Sequence, residues 1–250
     1  MGSEEDPRDY DFSRKMFKTG FVVAAVSGIL MWLLMFVWVF GFTGGVSWGT
    51  DSKTEINLHV ILMTVFMVYL QGHGAIIFRT LPSRPKIQVK LIHAGFHLST
   101  VIAVSIGLWS AVRAHDMKGQ PHFFTLHSWI GIIAIVLFYG QFLAGFFIFL
   151  LPYAPMRLRN FALPYHKFMG PLIFLTSCTA AATGMMMKAL GALSGGLYEQ
   201  RTAAGVTINF AALFLLIFCL TVTYLVLEPR FKRRPRPEGE MLLSDSGGSQ

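Results

Sequence analysis

Residues 21–40 read FVVAAVSGILMWLLMFVWVF, twenty consecutive positions without a charged side chain. An α-helix rises about 1.5 Å per residue, so about 20 apolar residues span the roughly 30 Å hydrocarbon layer of a bilayer. Charged residues precede this stretch, it is longer than the apolar region of a signal peptide, and no clear small-residue cleavage site accompanies it. The stretch therefore predicts a transmembrane helix and not a cleaved leader.

Five more apolar stretches of similar length follow along the chain. The chain is 54% hydrophobic and only 14% charged, whereas a soluble domain carries about a quarter charged residues. Helices satisfy their own backbone in lipid, so we expect an all-α integral membrane protein, a six-helix bundle. The predicted spans lie near 17–41, 56–78, 89–112, 123–150, 164–187 and 205–227. They form one domain, 17–228, between an N-terminal tail, 1–16, and a disordered C-terminal tail, 229–250.

The net charge of +8 has its cations at the ends of the apolar stretches. Cytoplasmic segments of membrane proteins are enriched in Lys and Arg. With both termini in the cytosol, the cytosolic segments hold sixteen of the 21 basic residues. This placement predicts cytosolic termini, and it explains the basic charge without a nucleic-acid partner. Cys178 and Cys219 both lie in apolar stretches, so a disulfide framework is not expected.

Four of the eight histidines lie near the start of the second, third, fourth and fifth spans: His59, His93, His127 and His166. Because neighbouring spans run antiparallel, His59 and His127 are expected near the outer face, and His93 and His166 near the inner face. Ionisable side chains at membrane depth are costly and therefore indicate function. With about four residues of burial at each end, the two levels are roughly 18 Å apart.

Two imidazoles from facing helices are the axial ligands that a six-coordinate haem iron needs. Helix-bundle cores commonly hold such cofactors. The four histidines therefore predict two haem groups in a four-helix core made by spans two to five, with electrons passing from one face to the other.

Two further histidines compete for the ligand positions. His97 follows His93 by one helical turn and points to the same side, so periodicity alone allows either residue as the ligand. His73 follows His59 by fourteen residues and returns to a similar face near the inner end of span two. The equivalent position after His127 is Gln141, which favours one ligand per helix.

Five segments around these histidines together resemble the cytochrome b561 family of ascorbate-dependent transmembrane electron carriers. They are EINLHVILM (55–63), KLIHAGFHL (90–98), FTLHSWIGI (124–132), LPYAPMRLR (151–159) and FALPYHKFMG (161–170). The resemblance covers spans two to five closely and all six in layout. Two departures are Val60, where the family usually has proline, and RTAAGV (201–206), which replaces the family's PEG segment before span six.

The resemblance implies a dihaem oxidoreductase with two haem b groups per chain. The implied pairs are His59 with His127 and His93 with His166, with His93 favoured over His97. It also implies ascorbate as the cytosolic donor, a ferric chelate or monodehydroascorbate as the non-cytosolic acceptor, and a homodimer in the lipid bilayer.

Four cations are expected at the inner mouth, where the donor binds. Lys86, Lys90 and His93 are spaced four and three residues apart and so form one helical stripe. Arg79 and Arg159 flank the same mouth from neighbouring segments. Lys and Arg attract a small anion such as ascorbate and bind it by charge-assisted hydrogen bonds. The resemblance implies a cytosolic ascorbate site at these four positions.

The outer side offers one histidine for the acceptor. His115 lies in the predicted loop before span four, twelve residues ahead of His127, an interval that resembles the acceptor-site histidine of animal family members. Asp116 and His122 are near it in sequence. Histidine and carboxylate together bind metal chelates or divalent cations. A solvated loop histidine without function is the alternative, and it is favoured for His122.

The segment EGEMLL (238–243) resembles an acidic dileucine sorting signal, which favours an endosomal, lysosomal or secretory-vesicle membrane, with the plasma membrane next. Two other functions fit parts of the pattern. A non-redox transporter would use the histidines as a proton or metal relay, and a haem-holding membrane scaffold would be pigmented without turnover. A transporter of this kind would have Gly- or Pro-broken helices in repeated positions, which the sequence lacks.

Overall fold

The computed structural model describes residues 7–233, and within this range the chain forms six long helices and no strand. Each of the six is long and apolar enough to cross a membrane, which confirms the predicted six-helix bundle. The helices are α1 (Pro7–Phe42), α2 (Ser52–Thr80), α3 (Lys86–Asp116), α4 (Leu126–Leu150), α5 (Met156–Ala192) and α6 (Ala203–Leu227). The EGEMLL segment lies outside the described residues.

Several helices extend beyond the apolar stretches that predicted them. Helix α1 begins at Pro7, within the segment expected to be a tail. Helix α3 continues to Asp116 and therefore contains His115 in its last turn, so the prediction of a loop at that position is wrong. Hydrophobicity predicts only the part of a helix that lies in lipid. The ends of the helix are set by its capping residues, which can lie beyond the apolar stretch.

The starts of the helices differ between the two faces of the bundle. At one face, side chains cap the first free N–H groups: Asp51 caps α2, Thr125 forms a capping box with Ser128 at α4, and Thr202 caps α6. At the other face, Pro85 and Pro155 precede α3 and α5. Both devices are typical of helix N-termini, because the first N–H groups lack partners within the helix.

The bundle consists of a four-helix core and a flanking helix pair. Helices α1 and α6 pack along each other, and the buried Trp38 side chain donates a 3.0 Å hydrogen bond to the carbonyl of Ala204. Helices α2 and α3 form a second pair, and α4 and α5 a third. The last two pairs enclose an apolar cluster to which each helix contributes: Met67, Val104, Ala134, Ile135, Phe138 and Ile173.

A hydrogen-bonded set of residues gathers the ends of α1, α2 and α6 at one face. Arg14 donates a 3.4 Å hydrogen bond to the carbonyl of Arg79, and the Arg79 guanidinium donates to the carbonyls of Val226 and Glu228. Just beyond α6, hydrogen bonds from the Arg230 guanidinium hold the pKa of the Glu228 carboxyl below its ordinary value. The start of the first helix and the end of the last therefore lie on the same side of the bundle.

A buried carboxylate joins the α1–α2 connection to α3 at the opposite face. The side chain of Glu55 is fully buried; it accepts a hydrogen bond from the backbone N–H of Gly49, and its Oε1 lies 3.8 Å from the Arg113 guanidinium. That guanidinium also lies over the rings of Trp109 and Trp48, 4.5 and 5.8 Å from their centroids. The arginine charge and the Gly49 N–H offset part of the cost of burying this carboxylate.

Candidate functional site

Two pairs of histidines face each other inside the four-helix core. The ring centroids of His59 in α2 and His127 in α4 are 6.1 Å apart. The centroids of His93 in α3 and His166 in α5 are 6.3 Å apart. Each helix of the core therefore contributes one histidine, and the two pairs combine the residues as the sequence expected.

The spacing within each pair fits one metal ion between two imidazoles. A metal–imidazole bond is about 2 Å long and the bonded nitrogen lies about 1.1 Å from the ring centroid, so two trans imidazoles have centroids about 6.2 Å apart. Both observed distances match this value.

Hydrogen bonds to backbone carbonyls determine the tautomer of three of the four rings. The Nδ1 atoms of His59, His93 and His127 lie 2.9–3.0 Å from the carbonyls of Gly107, Gly74 and Ala180, respectively. Because a carbonyl oxygen only accepts, each Nδ1 carries the proton and donates it. Each Nε2 then keeps a free lone pair, which is the form of histidine that binds a metal.

His166 is held differently. Its Nδ1 is buried and has no hydrogen-bond partner among residues 7–233. Gln141 donates a 2.8 Å hydrogen bond to the backbone carbonyl of His166, and the Phe149 ring packs edge-on at 5.1 Å from the imidazole. Gln141, which stands where a second histidine of α4 would be, therefore supports the helix that carries the ligand.

The two pairs lie at two depths of the bundle. Fourteen residues separate His93 from Gly107, the partner of His59, and fourteen separate His166 from Ala180, the partner of His127. At 1.5 Å per residue this is about 21 Å along each helix, slightly more than the 18 Å expected. The apolar cluster around Met67 and Phe138 lies between the levels.

An open cavity of about 820 Å³ reaches the outer pair and is lined by both His59 and His127. This volume is within the range of about 300–1,000 Å³ that holds cofactors and drug-sized ligands. Methionine and aliphatic side chains of α2 form much of its wall. The residues at this level thus offer two axial nitrogens inside an apolar pocket, which fits a haem.

Gly184 in α5 allows the His127 ring to lie directly on the helix backbone. A Cβ at this position would be 2.7 Å from Cε1 and 3.0 Å from Nδ1 of His127, which is closer than carbon atoms approach. An alanine at position 184 is therefore expected to move the His127 imidazole away from the Ala180 carbonyl and out of its position opposite His59.

The variant Gly184→Ala is expected to lose much of the outer haem while the inner haem remains, because only the outer ligand is displaced. Haem content per chain and the absorbance spectrum of the purified variant would show this. Gly170→Ala is the matched control, since a Cβ at that position of the same helix meets nothing within 4 Å. Equal haem loss in both variants would contradict the prediction.

The structure places His73 apart from the two pairs, whereas His97 lies against His93. His97 packs against His93 and, at 5.7 Å, against Phe138, so it lies one turn closer to the apolar cluster than the inner pair. His73 points toward α1 and α6, stacked on Phe218 at 5.7 Å with its Nδ1 bonded to the carbonyl of Tyr69. The ring that packs against His166 of α5 is that of His93, while His97 is near enough to both to interact with them electrostatically.

Three of the four cations expected at the inner mouth lie together. Lys90 donates a 2.9 Å hydrogen bond to the carbonyl of Phe149 at the end of α4. Arg159 donates to the carbonyls of Leu151 and Ala154 in the following turn. Lys86 and Arg159 are both near enough to Lys90 to repel its charge. The lysine ammonium keeps further N–H groups free for a ligand.

Arg79 is oriented away from these three. Its guanidinium donates to the carbonyls that follow the last turn of α6, at Val226 and Glu228. Arginine commonly caps helix C-termini in this way. The structure thus gives Arg79 a position at the same face but a set of hydrogen bonds that belongs to the α2–α6 contact.

The outer histidines form a small polar group at the opening of the cavity. The His115 Nδ1 donates a 3.1 Å hydrogen bond to the carbonyl of Pro121, and the His122 Nε2 lies 2.9 Å from Asp116 Oδ1. The rings of His115 and His122 are stacked 5.8 Å apart, and both line the cavity. His122 is exposed in the loop before α4, as the alternative of a solvated histidine predicted, although it also lines the cavity.

No three side chains of His, Cys, Asp or Glu converge on one point in the part of the chain that the structure describes. A bare transition-metal ion generally takes three or four protein ligands. A pair of imidazoles is instead the number that a macrocycle-bound iron requires, because the porphyrin supplies the other ligands.

The sequence did not predict the carbonyl partners Gly74, Gly107 and Ala180, or the glycine under His127. Backbone acceptors carry no residue signal, since every residue has a carbonyl. The only available signal is the small side chain at each of these positions, which allows a ring to approach the helix.

The sequence of this chain is similar to known proteins over most of its length. Residues 58–191 match the family described as eukaryotic cytochrome b561. The plasma membrane ascorbate-dependent reductase CYBRD1 of Mus musculus is 33% identical over 231 residues, 91% of this chain and 79% of the relative.

Two further relatives have similar coverage. The transmembrane ascorbate-dependent reductase CYB561 of Mus musculus is 32% identical over 90% of this chain and 86% of the relative. The putative transmembrane ascorbate-dependent reductase CYB561 homolog of Caenorhabditis elegans is 30% identical over 93% of this chain and 91% of the relative. Together with the four-histidine core, these similarities establish that the chain belongs to the cytochrome b561 family.

Proposed function

We propose that this protein transfers single electrons from cytosolic ascorbate, through two haem b groups, to an acceptor on the other side of the membrane. Family membership implies haem b, and the relatives are named ascorbate-dependent reductases. The observation that carries the proposal is the pair of histidine–histidine distances, 6.1 and 6.3 Å, at two depths of one bundle.

The residues of the chain hold and insulate the redox groups. The paired Nε2 atoms of the two histidine couples would bind the iron atoms, and the Nδ1 hydrogen bonds fix the orientation of three rings. When bound, haem supplies reversible one-electron chemistry at each level. The apolar cluster between the two histidine pairs would exclude water from the region that an electron crosses from one haem to the other.

The donor would bind at the inner mouth. Lys86, Lys90 and Arg159 concentrate positive charge on the stripe that leads to His93. Ascorbate is an anion near neutral pH, so these cations raise its local concentration and orient it by charge-assisted hydrogen bonds. We assign ascorbate binding to these three residues, with Arg79 as a fourth member whose guanidinium is shared with the end of α6.

The acceptor would bind at the outer opening, where His115 lines the cavity above the outer histidine pair. A ferric chelate and monodehydroascorbate are the two candidate acceptors. The orientation follows the positive-inside rule, with both termini cytosolic. We further propose a homodimer, and an endosomal, lysosomal or secretory-vesicle membrane ahead of the plasma membrane that the name of the CYBRD1 relatives specifies.

An absorbance spectrum of the purified protein before and after addition of ascorbate tests this function, together with the haem content per chain. We expect about two haems per chain and a spectrum in which both haems become reduced after ascorbate is added. A colourless protein would favour the non-redox transporter. A pigmented protein that dithionite reduces and ascorbate does not would keep the histidine pairs and reject the donor site.

A further inference from the structure

The segment that follows α6 folds back onto α1. Pro229–Phe231 forms a single 3₁₀ turn, in which the Phe231 side chain is buried. The Phe231 ring packs edge-on against Phe17 of α1, with centroids 5.5 Å apart, and against Tyr224 of α6 at 5.6 Å. Because a buried aromatic side chain anchors this turn, the basic residues in and after it are held at the face where α1 begins.

Arg233 reaches from this segment to the connection between α2 and α3. The Nη2 atom of its guanidinium donates a 2.6 Å hydrogen bond to the backbone carbonyl of Arg84. The Nη1 atom is buried and has no hydrogen-bond partner among residues 7–233. A buried N–H of a charged group is costly without an acceptor, and folded proteins rarely leave one in that state. The Nη1 atom therefore indicates a place for an acceptor that a ligand supplies.

The surface around this contact is strongly positive. Three chain segments meet here: 12–20, 79–85 and 226–233. Together they contain eight basic residues and one acidic residue. The acidic residue, Glu228, forms a 2.8 Å ion pair with Arg230, whereas Lys18, Arg84 and Lys232 have exposed side chains. The positive-inside rule explains the number of these cations, but it does not explain the buried guanidinium nitrogen that no acceptor reaches.

The position of these cations beside the apolar stretches favours a lipid headgroup as the anion. Lys18 lies just before the uncharged stretch 21–40 of α1, and Arg233 follows shortly after the apolar helix α6. Next to these ends, both helices expose apolar side chains, such as Val22 of α1 and Leu227 of α6. Basic clusters beside the ends of transmembrane helices are typical binding sites for acidic phospholipids. The apolar surface below the cations would receive the acyl chains, which a soluble anion lacks.

We propose that Arg84 and Arg233 bind the phosphate groups of an acidic phospholipid in the leaflet at which α1 begins, with Lys18 and Lys232 adding positive charge. Arg233 donates its free Nη1 hydrogens to a phosphate oxygen, and the exposed guanidinium of Arg84 binds the same headgroup. The planar fork of arginine matches the geometry of phosphate oxygens. The lipid thereby joins the α2–α3 connection to the end of α6. This inference uses none of the residues assigned to haem or ascorbate.

Calorimetric titration of the purified full-length protein in detergent with short-chain lipids tests the proposal. The titrants are dioctanoyl phosphatidylinositol bisphosphate and, as the comparison without net charge, dioctanoyl phosphatidylcholine. We expect saturable binding of the anionic lipid and no binding of phosphatidylcholine at the same concentrations. Arg233→Gln should bind the anionic lipid about tenfold more weakly, because a charge-assisted contact to phosphate is lost. The difference should become smaller at high ionic strength, since salt screens the interaction.

Arg157→Gln is the matched control for the charge that is removed. Arg157 is an exposed arginine in the first turn of α5, and its substitution lowers the net charge by the same amount as Arg233→Gln. The control should bind the anionic lipid as the wild type does. Equal weakening in the two variants would mean that net positive charge alone attracts the lipid, and unchanged binding in Arg233→Gln would mean that its guanidinium takes no part. Either result would overturn the proposal.

A second variant separates loss of binding from loss of folding. The backbone carbonyl of Arg84, and not its exposed side chain, bonds to Arg233. Arg84→Gln should therefore keep the thermal unfolding temperature of the wild type and still bind the anionic lipid more weakly. Unchanged lipid binding in this variant would remove Arg84 from the site and contradict the proposed pair.

Inositol trisphosphate, which is the same headgroup without acyl chains, distinguishes a lipid from a soluble anion. We expect it to bind about tenfold more weakly than the dioctanoyl lipid or weaker still, because buried acyl chains add to the affinity. Equal affinity for the two ligands would assign the site to a soluble phosphate compound and reject the lipid. None of these titrations requires electron transfer, so their outcome is independent of the proposed reductase function.

Discussion

His59→Ala and His127→Ala are each expected to reduce the haem content from about two groups per chain to about one. Either substitution would remove one of the two imidazoles proposed to hold the iron, whose rings are 6.1 Å apart, and a single imidazole would hold the haem less well. The inner pair lies about 21 Å away along the helices and should keep its haem. Pyridine haemochromogen analysis with protein quantification would measure the ratio.

His73→Ala is the matched control for these variants. His73 is also a histidine of α2, but it packs on Phe218 toward α6 and faces no opposing imidazole. The control should retain about two haems per chain. Loss of one haem in His73→Ala, with none lost in His59→Ala, would show that α2 supplies its ligand from the other position.

Lys90→Ala is expected to slow the reduction of the protein by ascorbate at least tenfold, while reduction by dithionite stays fast. Lys90 lies one turn before His93 on α3, and its ammonium is held at the end of α4 beside Arg159. Loss of a charge-assisted contact to an anion costs about 1.5 to 3 kcal/mol, which is about tenfold to more than hundredfold in binding. Stopped-flow absorbance at the haem bands gives both rates.

The control for Lys90 is Lys15→Ala, which removes an exposed cation of α1. It lowers the charge of the same face by the same amount without touching the mouth. Equal rates of reduction by ascorbate in the two variants would mean that the cations of this face orient the protein in the membrane and do not bind the donor. An effect confined to Lys90 at low ascorbate, lost at saturating ascorbate, would assign the residue to donor binding and not to the electron-transfer step.

Much of this protein could be predicted from the sequence because its strongest constraints are local. Apolar stretches of about 20 residues have one stable form in lipid, so residues 21–40 and the five other stretches determined a six-helix bundle. The antiparallel order of short-connected helices then assigned His59 and His127 to one depth, and His93 and His166 to the other. The resemblance of the surrounding segments to the cytochrome b561 family implied the same pairs.

Only the tertiary structure decided which rings approach within metal-binding distance. Periodicity treated His93 and His97 alike, because both lie on one side of α3. The packing of α3 against α2 gives the two histidines different surroundings. His93 bonds to the carbonyl of Gly74 in α2, whereas the His97 ring only lies beside that glycine. Contacts of this kind join residues that are far apart in sequence, so no local pattern contains them.

The charges followed the same division. Residue order did not predict the partner of Glu55, because Arg113 belongs to another helix and reaches the carboxylate only after the helices pack. Hydrophobicity and the positive-inside rule act on each segment separately and so could be read from residue order. Pairing of histidines and burial of a carboxylate depend on distances between segments, which the packing of the bundle alone determines.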